Sequence, residues 1–132
     1  MRWLLLFLVA CSHEASEPAK QDPPAPVVQQ PVKPAPPPAP AQLTHVTIKA
    51  LGMYCEESCP MRVRYALADL KQVYELGFDP ANESIFVSYD ASLGTPKEVT
   101  KPMLVAIKNA GFDPWLAKES WPADAKVGVV TR

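Results

Sequence analysis

Ten of the chain's 16 prolines fall between Pro18 and Ala41, and that run decides where a fold can form. Proline fixes φ and has no N–H, so segments such as Pro23-Pro24-Ala25-Pro26 and Pro36-Pro37-Pro38 cannot join a helix or a sheet. Val27, Val28 and Val32 are almost the only larger apolar side chains there, too few for a core. Such a tract favours extended polyproline II at about 3.1 Å per residue and reaches roughly 70 Å. A packed domain therefore has to be built from the residues beyond Ala41, and 132 residues less this tract leave room for one.

That remaining stretch contains Gly52-Met53-Tyr54-Cys55-Glu56-Glu57-Ser58-Cys59-Pro60. The cysteines stand where an alternating pattern (Val46, Ile48, Ala50) gives way to a helical one (Val63, Ala66, Leu67, Leu70). Two thiols on a short loop that opens a helix can hold a soft metal ion or close a disulfide.

The chain begins with Arg2, an apolar run from Trp3 to Ala10, and Leu8-Val9-Ala10-Cys11. Crossing a bilayer as a helix takes ~20 apolar residues, so the run is too short to span. A charged start, an apolar stretch and small residues before a cleavage point describe a secretory signal. The Leu-Val-Ala-Cys ending resembles the lipobox of bacterial lipoproteins, in which the cysteine becomes the lipidated first residue. That resemblance implies a lipid on Cys11, with the proline tract as a disordered tether in the cell envelope. Ser12 stands where an aspartate would favour retention in the inner membrane, which points to the outer membrane, facing the periplasm. The expected divisions are 1–11 signal, 12–42 linker, 43–118 domain and 119–132 tail.

From Leu43 to Arg132 ten Lys or Arg face eleven Asp or Glu, with no block of one sign. A nucleic-acid footprint needs a clustered basic face, so nucleic acid is not an expected partner. Nor does any base–nucleophile pair or phosphate-binding loop suggest an enzyme.

Alternation over Val46–Ala50 predicts a strand, and Pro60 suits a helix start where its missing N–H costs nothing. The helix is expected to run to about Lys71. Val73, Leu76 and Phe78, the turn-rich Asp79-Pro80-Ala81-Asn82-Glu83, then Ile85, Val87 and Tyr89 read as an antiparallel hairpin. Thr100 suits an N-cap, with Pro102 in the first turn of a second helix and Gly111 as its left-handed C-terminal cap. Phe112–Lys118 closes the series as a short or edge strand, because Pro114 cannot donate to a ladder. Strand, helix, strand, strand, helix, strand is the split arrangement of a ferredoxin-like α+β sandwich: two helices on one face of a four-stranded antiparallel sheet. Val127-Gly128-Val129-Val130, in the tail, is a candidate for an added edge strand.

Residues 44 to about 118 resemble heavy-metal-associated domains, the small modules of copper chaperones, metal-pumping ATPases and periplasmic mercuric-ion-binding proteins. The resemblance is carried by Val46-x-Ile48-x-Ala50-x-Gly52-Met53-x-Cys55, by Cys59 with Val63, Ala66, Leu67 and Leu70, and by Ala106-Ile107-x-x-Ala110-Gly111-Phe112. It implies that Cys55 and Cys59 hold one soft ion, that Gly52 and Met53 shape the loop, and that Phe112 packs beneath it. It also implies a metal-transporting ATPase or an efflux component as partner. Two departures stand out. Three residues separate the cysteines where the family has two, and Gln72 replaces a common glycine.

Chemistry supports the same site without the family. Two sulfurs with no neighbouring histidine select Cu(I), the expected cargo, or Hg(II) over hard ions. Structural zinc normally takes four ligands, so Zn(II) ranks lower, although Glu56 or Glu57 could add oxygen. Met53 reads as core, and His45 as a solvated surface residue. A disulfide competes with the metal, either as a thiol–disulfide switch or as a staple in a protein-interaction domain, because an exported location is oxidising.

Overall fold

A computed structural model describes residues 35–131. The signal segment, Cys11 and most of the proline tract lie outside the described residues. Five strands and two helices come in the order β1 (Leu43–Leu51), α1 (Ser58–Leu67), β2 (Glu75–Asp79), β3 (Ser84–Asp90), α2 (Pro96–Asn109), β4 (Asp113–Leu116) and β5 (Val127–Val129). The sheet is antiparallel throughout, in the order β4-β1-β3-β2-β5. The domain has the ferredoxin-like βαββαβ fold, with one strand more than the sequence pattern predicts.

Side-chain alternation sets the register. Val46 lies opposite Val87 and Ile48 opposite Ile85, so the buried sets of β1 and β3 share one face. Val63 and Leu67 of α1, with Met103 and Ile107 of α2, cover that face, and all four are essentially inaccessible. Truncating Leu67, Met103 or Ile107 to alanine therefore costs about 2–5 kcal/mol.

The helix boundaries differ from expectation for local reasons. α1 ends at Leu67 and not near Lys71. Beyond it the chain tightens into successive short turns, with the N–H of Ala68, Leu70 and Val73 donating to the carbonyls of Tyr65, Leu67 and Leu70. α2 starts at Pro96, ahead of Thr100. Thr95 is its N-cap, and the Glu98 carboxylate reaches back to accept from the Thr95 N–H (3.2 Å) and hydroxyl (2.7 Å). Thr100 is instead buried in the helix, its hydroxyl donating to the Pro96 carbonyl at 2.6 Å. Pro102 lies past the first turn, on an exposed stretch where the carbonyl it leaves unpaired can meet water. Gly111 does cap α2 in the left-handed region, at φ 96°.

The fifth strand is the main correction to the four-stranded expectation. β5 pairs with β2, placing Glu75 opposite Val129 and Gly77 opposite Val127. β4 and β5 lie at opposite edges of the sheet, so the chain between them crosses its width. It does so on the face away from the helices. Every residue from Ser84 to Tyr89 in β3 is buried, including the outward-facing Phe86 and Ser88. Trp121 anchors the crossing: its indole N–H donates to the Val46 carbonyl at 2.8 Å, and its ring lies 5.9 Å from Phe86 and 4.4 Å from His45. His45 is thus exposed but stacked on an indole, where a freely solvated side chain was expected. Val130 finishes the strap in the core, its N–H donating to the Tyr74 carbonyl.

Gly77 makes the strap's last contact possible. A Cβ there would lie 2.2 Å from the Lys126 carbonyl oxygen and 2.7 Å from a Val127 methyl. Among the described residues no helix is long and apolar enough to cross a membrane.

Candidate functional site

The loop between β1 and α1 is fastened at its start. Gly52 adopts φ 100°, a conformation that L side chains rarely take, which turns the chain off the strand. Its N–H donates to the Glu83 carboxylate at 2.9 Å. Glu83 is itself the described non-glycine residue with positive φ, and its carbonyl accepts from the Ala50 N–H at 2.8 Å. Sequence reasoning placed Glu83 in the hairpin turn but missed its contact with the cysteine loop, because only the β1–β3 register brings it beside Ala50.

Below the loop the packing is apolar. Met53 has no accessible surface, and Phe112 is buried with its ring edge 3.8 Å from where a Gly52 Cβ would stand. Gly52, Met53 and Phe112 are therefore brought together. The Arg62 guanidinium lies 5.1 Å from the centre of the Phe112 ring and donates to the Ala110 carbonyl, tying α1 to the end of α2.

Tyr54, Cys55, Glu56, Glu57 and Ser58 are exposed, whereas Cys59 is 4% exposed and belongs to the hydrophobic core. Cys55 and Cys59 form a disulfide, with Cα atoms 5.3 Å apart, within the ordinary range for such a bond. Cys59 is the second residue of α1. The first intrahelical bond runs from the Met61 N–H to the Glu57 carbonyl, and Glu57 makes no side-chain cap. The N–H groups of the first turn are thus the unpaired positive end of the helix dipole, next to the buried sulfur.

Among the described residues no group of three or more His, Cys, Asp or Glu side chains could hold a metal ion. A four-ligand zinc site is not assembled among them. What the loop offers is a pair of sulfurs, one in the core and one at the surface, on a rigid base. A soft, two-coordinate ion suits such a donor set when the sulfurs are reduced.

No protein-family model and no curated protein matches the sequence. Several solved structures are similar in shape. The first, a copper-binding domain from HMA7, a P-type ATPase, shows 22% identity and a TM-score of 0.47, covering 58% of this chain and 97% of its own. The second, oxidized MerP from Ralstonia metallidurans CH34, gives 22% identity and 0.47 over 58% of this chain and 100% of its own. The third, the yeast copper transporter domain CCC2A, reaches 24% and 0.45, covering 58% and 97%. At these identities the meaning of the cysteine pair rests on its own geometry.

Proposed function

We propose that this domain, when reduced, binds one soft metal ion, Cu(I) or Hg(II)-like, through Cys55 and Cys59, and that it carries, buffers or sequesters that ion rather than transforming a substrate. The observation that carries this reading is the pairing of a buried and an exposed cysteine on one braced loop. Metal–sulfur bonds of about 2.3 Å, the length found for zinc, hold two sulfurs up to about 4.6 Å apart. Rotating the exposed Cys55 side chain supplies that separation while Cys59 stays in the core. Met53, Gly52 and Phe112 hold the loop and need not touch the ion.

Anaerobic titration of reduced protein is the test. One equivalent of Cu(I) or Hg(II) should be taken up, with protons released as both sulfurs ionise. Cys55→Ser or Cys59→Ser should weaken uptake by more than the roughly 10–100-fold that changes around a metal site cost, because each removes a ligand outright. Absence of stoichiometric uptake by the reduced domain overturns the proposal. A second reading is favoured by the disulfide between the two cysteines: the pair works as a thiol–disulfide couple. It takes the first reading's place if reduction is reversible and no soft ion binds.

The setting is part of the same proposal. A lipid on Cys11 and the proline tract would hold the domain at a bacterial membrane, most simply the outer membrane facing the periplasm, where a metal-transporting ATPase or efflux component would be its partner. The motivation is the Leu8-Val9-Ala10-Cys11 sequence ahead of the proline run. Wild-type protein should partition into detergent, and Cys11→Ala should move it to the soluble fraction. An unmodified Cys11 in soluble wild-type protein would remove the anchor from the proposal.

A further inference from the structure

Cys55 and Cys59 are joined, yet the two ends of the bond are not equivalent. Cys55 is exposed on the loop with exposed neighbours on both sides. Cys59 has 4% of its surface accessible and is packed in the core with Met53 and Val63. Thiol–disulfide exchange proceeds by attack of a thiolate on one sulfur, and access decides which. We infer that the oxidised pair is opened at Cys55 by an external dithiol, before a metal can bind, and that Cys59 is the leaving sulfur.

The steps balance. A thiolate of the reductant forms a bond to the Cys55 sulfur, the Cys55–Cys59 bond breaks, and Cys59 departs with the electron pair as a thiolate. The reductant's second thiol, losing its proton to solvent, attacks its own sulfur in the mixed disulfide and releases Cys55 as a thiolate. The reductant leaves as a disulfide, oxidised by two electrons, and the pair is reduced by two. The thiolates then take up protons or a soft cation.

Two features fit Cys59 as the leaving group. It lies in the first turn of a ten-residue helix, where N–H groups have no helical carbonyl to meet. It also stays anchored in the core during the exchange. Only the exposed half of the loop, Tyr54 to Glu57, has to move. The order of events is fixed accordingly, with docking at the Cys55 side, exchange, release and then metal uptake. The inference rests on reading the pair as a site that works when reduced, and its test contains no metal, so the two can fail separately.

Reduced Cys59→Ser, which keeps Cys55, and reduced Cys55→Ser, which keeps Cys59, both also carrying Cys11→Ala, are each reacted with the neutral disulfide 4,4′-dithiodipyridine. Cys55 should react at least tenfold faster in native buffer, with the difference collapsing in denaturant. Equal native rates, or a faster Cys59, overturn the inference. Because a variant could lose its fold, oxidised wild-type protein is also mixed with the monothiol glutathione, quenched in acid and mapped by mass spectrometry. The adduct should sit on Cys55, and an adduct mainly on Cys59 overturns the inference without any variant.

Discussion

The cysteine loop and the C-terminal strap belong to one sheet but are secured in opposite ways. The loop is held by a few specific devices: a left-handed Gly52, the Glu83 carboxylate, and Met53 and Phe112 beneath it. Its outer half is left bare. The strap is held by spread-out contacts, with an indole on the sheet, a three-residue strand pairing and one buried valine. The first arrangement suits a part that must exchange a ligand, since local opening costs least where few apolar contacts are made. The second suits a part that adds stability and has no chemistry of its own.

The comparison breaks most sharply at the core the two regions share. Leu67→Ala and Ile107→Ala should each lower unfolding free energy by about 2–5 kcal/mol in denaturant titrations, because both side chains are fully buried. Near-zero effects at both would mean that the helix faces are misassigned.

A smaller effect separates strap from loop. Ending the chain after Lys118 uncovers Phe86 and removes β5, and it should cost about 1–3 kcal/mol while metal uptake per folded molecule stays unchanged. Gly77→Ala is the point version. Its methyl would meet the Lys126 carbonyl oxygen, which is backbone and cannot turn aside, so β5 should detach and show fast amide exchange. Full protection of β5 amides in that variant would contradict the close approach. A truncated chain that folds as stably as the whole one would make the strap mere decoration.

The smallest effect lies at the start of α2. The Thr95 hydroxyl, and secondarily its backbone N–H, hold the Glu98 carboxyl below its usual value. A depressed folded value means that this contribution is complete above the unfolded value, about 4.3, and is lost as pH falls through the folded one. Glu98→Gln should therefore lose less stability between neutral and acidic pH than the wild type does. Equal acid sensitivity in the two proteins would remove the cap from the account.

Much of the first region was legible in the chain. Strand alternation at Val46–Ala50, helical spacing at Val63–Leu67 and the left-handed glycine at 111 are local signals, and local sterics and amphipathicity decide them. The strand-to-helix change that flanks them placed Cys55 and Cys59, whereas the places of Gly52, Met53 and Phe112 about the loop came from the resemblance to heavy-metal-associated domains. The loop contact of Glu83 was not legible, since it depends on a partner strand. The start of α2 was misplaced because Thr100 and Thr95 are both acceptable caps, and only the Glu98 carboxylate selects between them.

The sequence by itself determined which stretch could fold, the order of its first six elements, and the two sulfurs on a loop that opens a helix. Those come from the restriction proline places on the backbone and from periods of two and 3.6 residues. The tertiary structure alone decided that one sulfur is buried and the other exposed, that they are joined, and that residues 117–130 cross the second face of the sheet to become a fifth strand. Burial and strand pairing depend on what lies opposite a residue in space. Nothing near Trp121 in the chain announces that its indole will meet the carbonyl of Val46, seventy-five positions earlier.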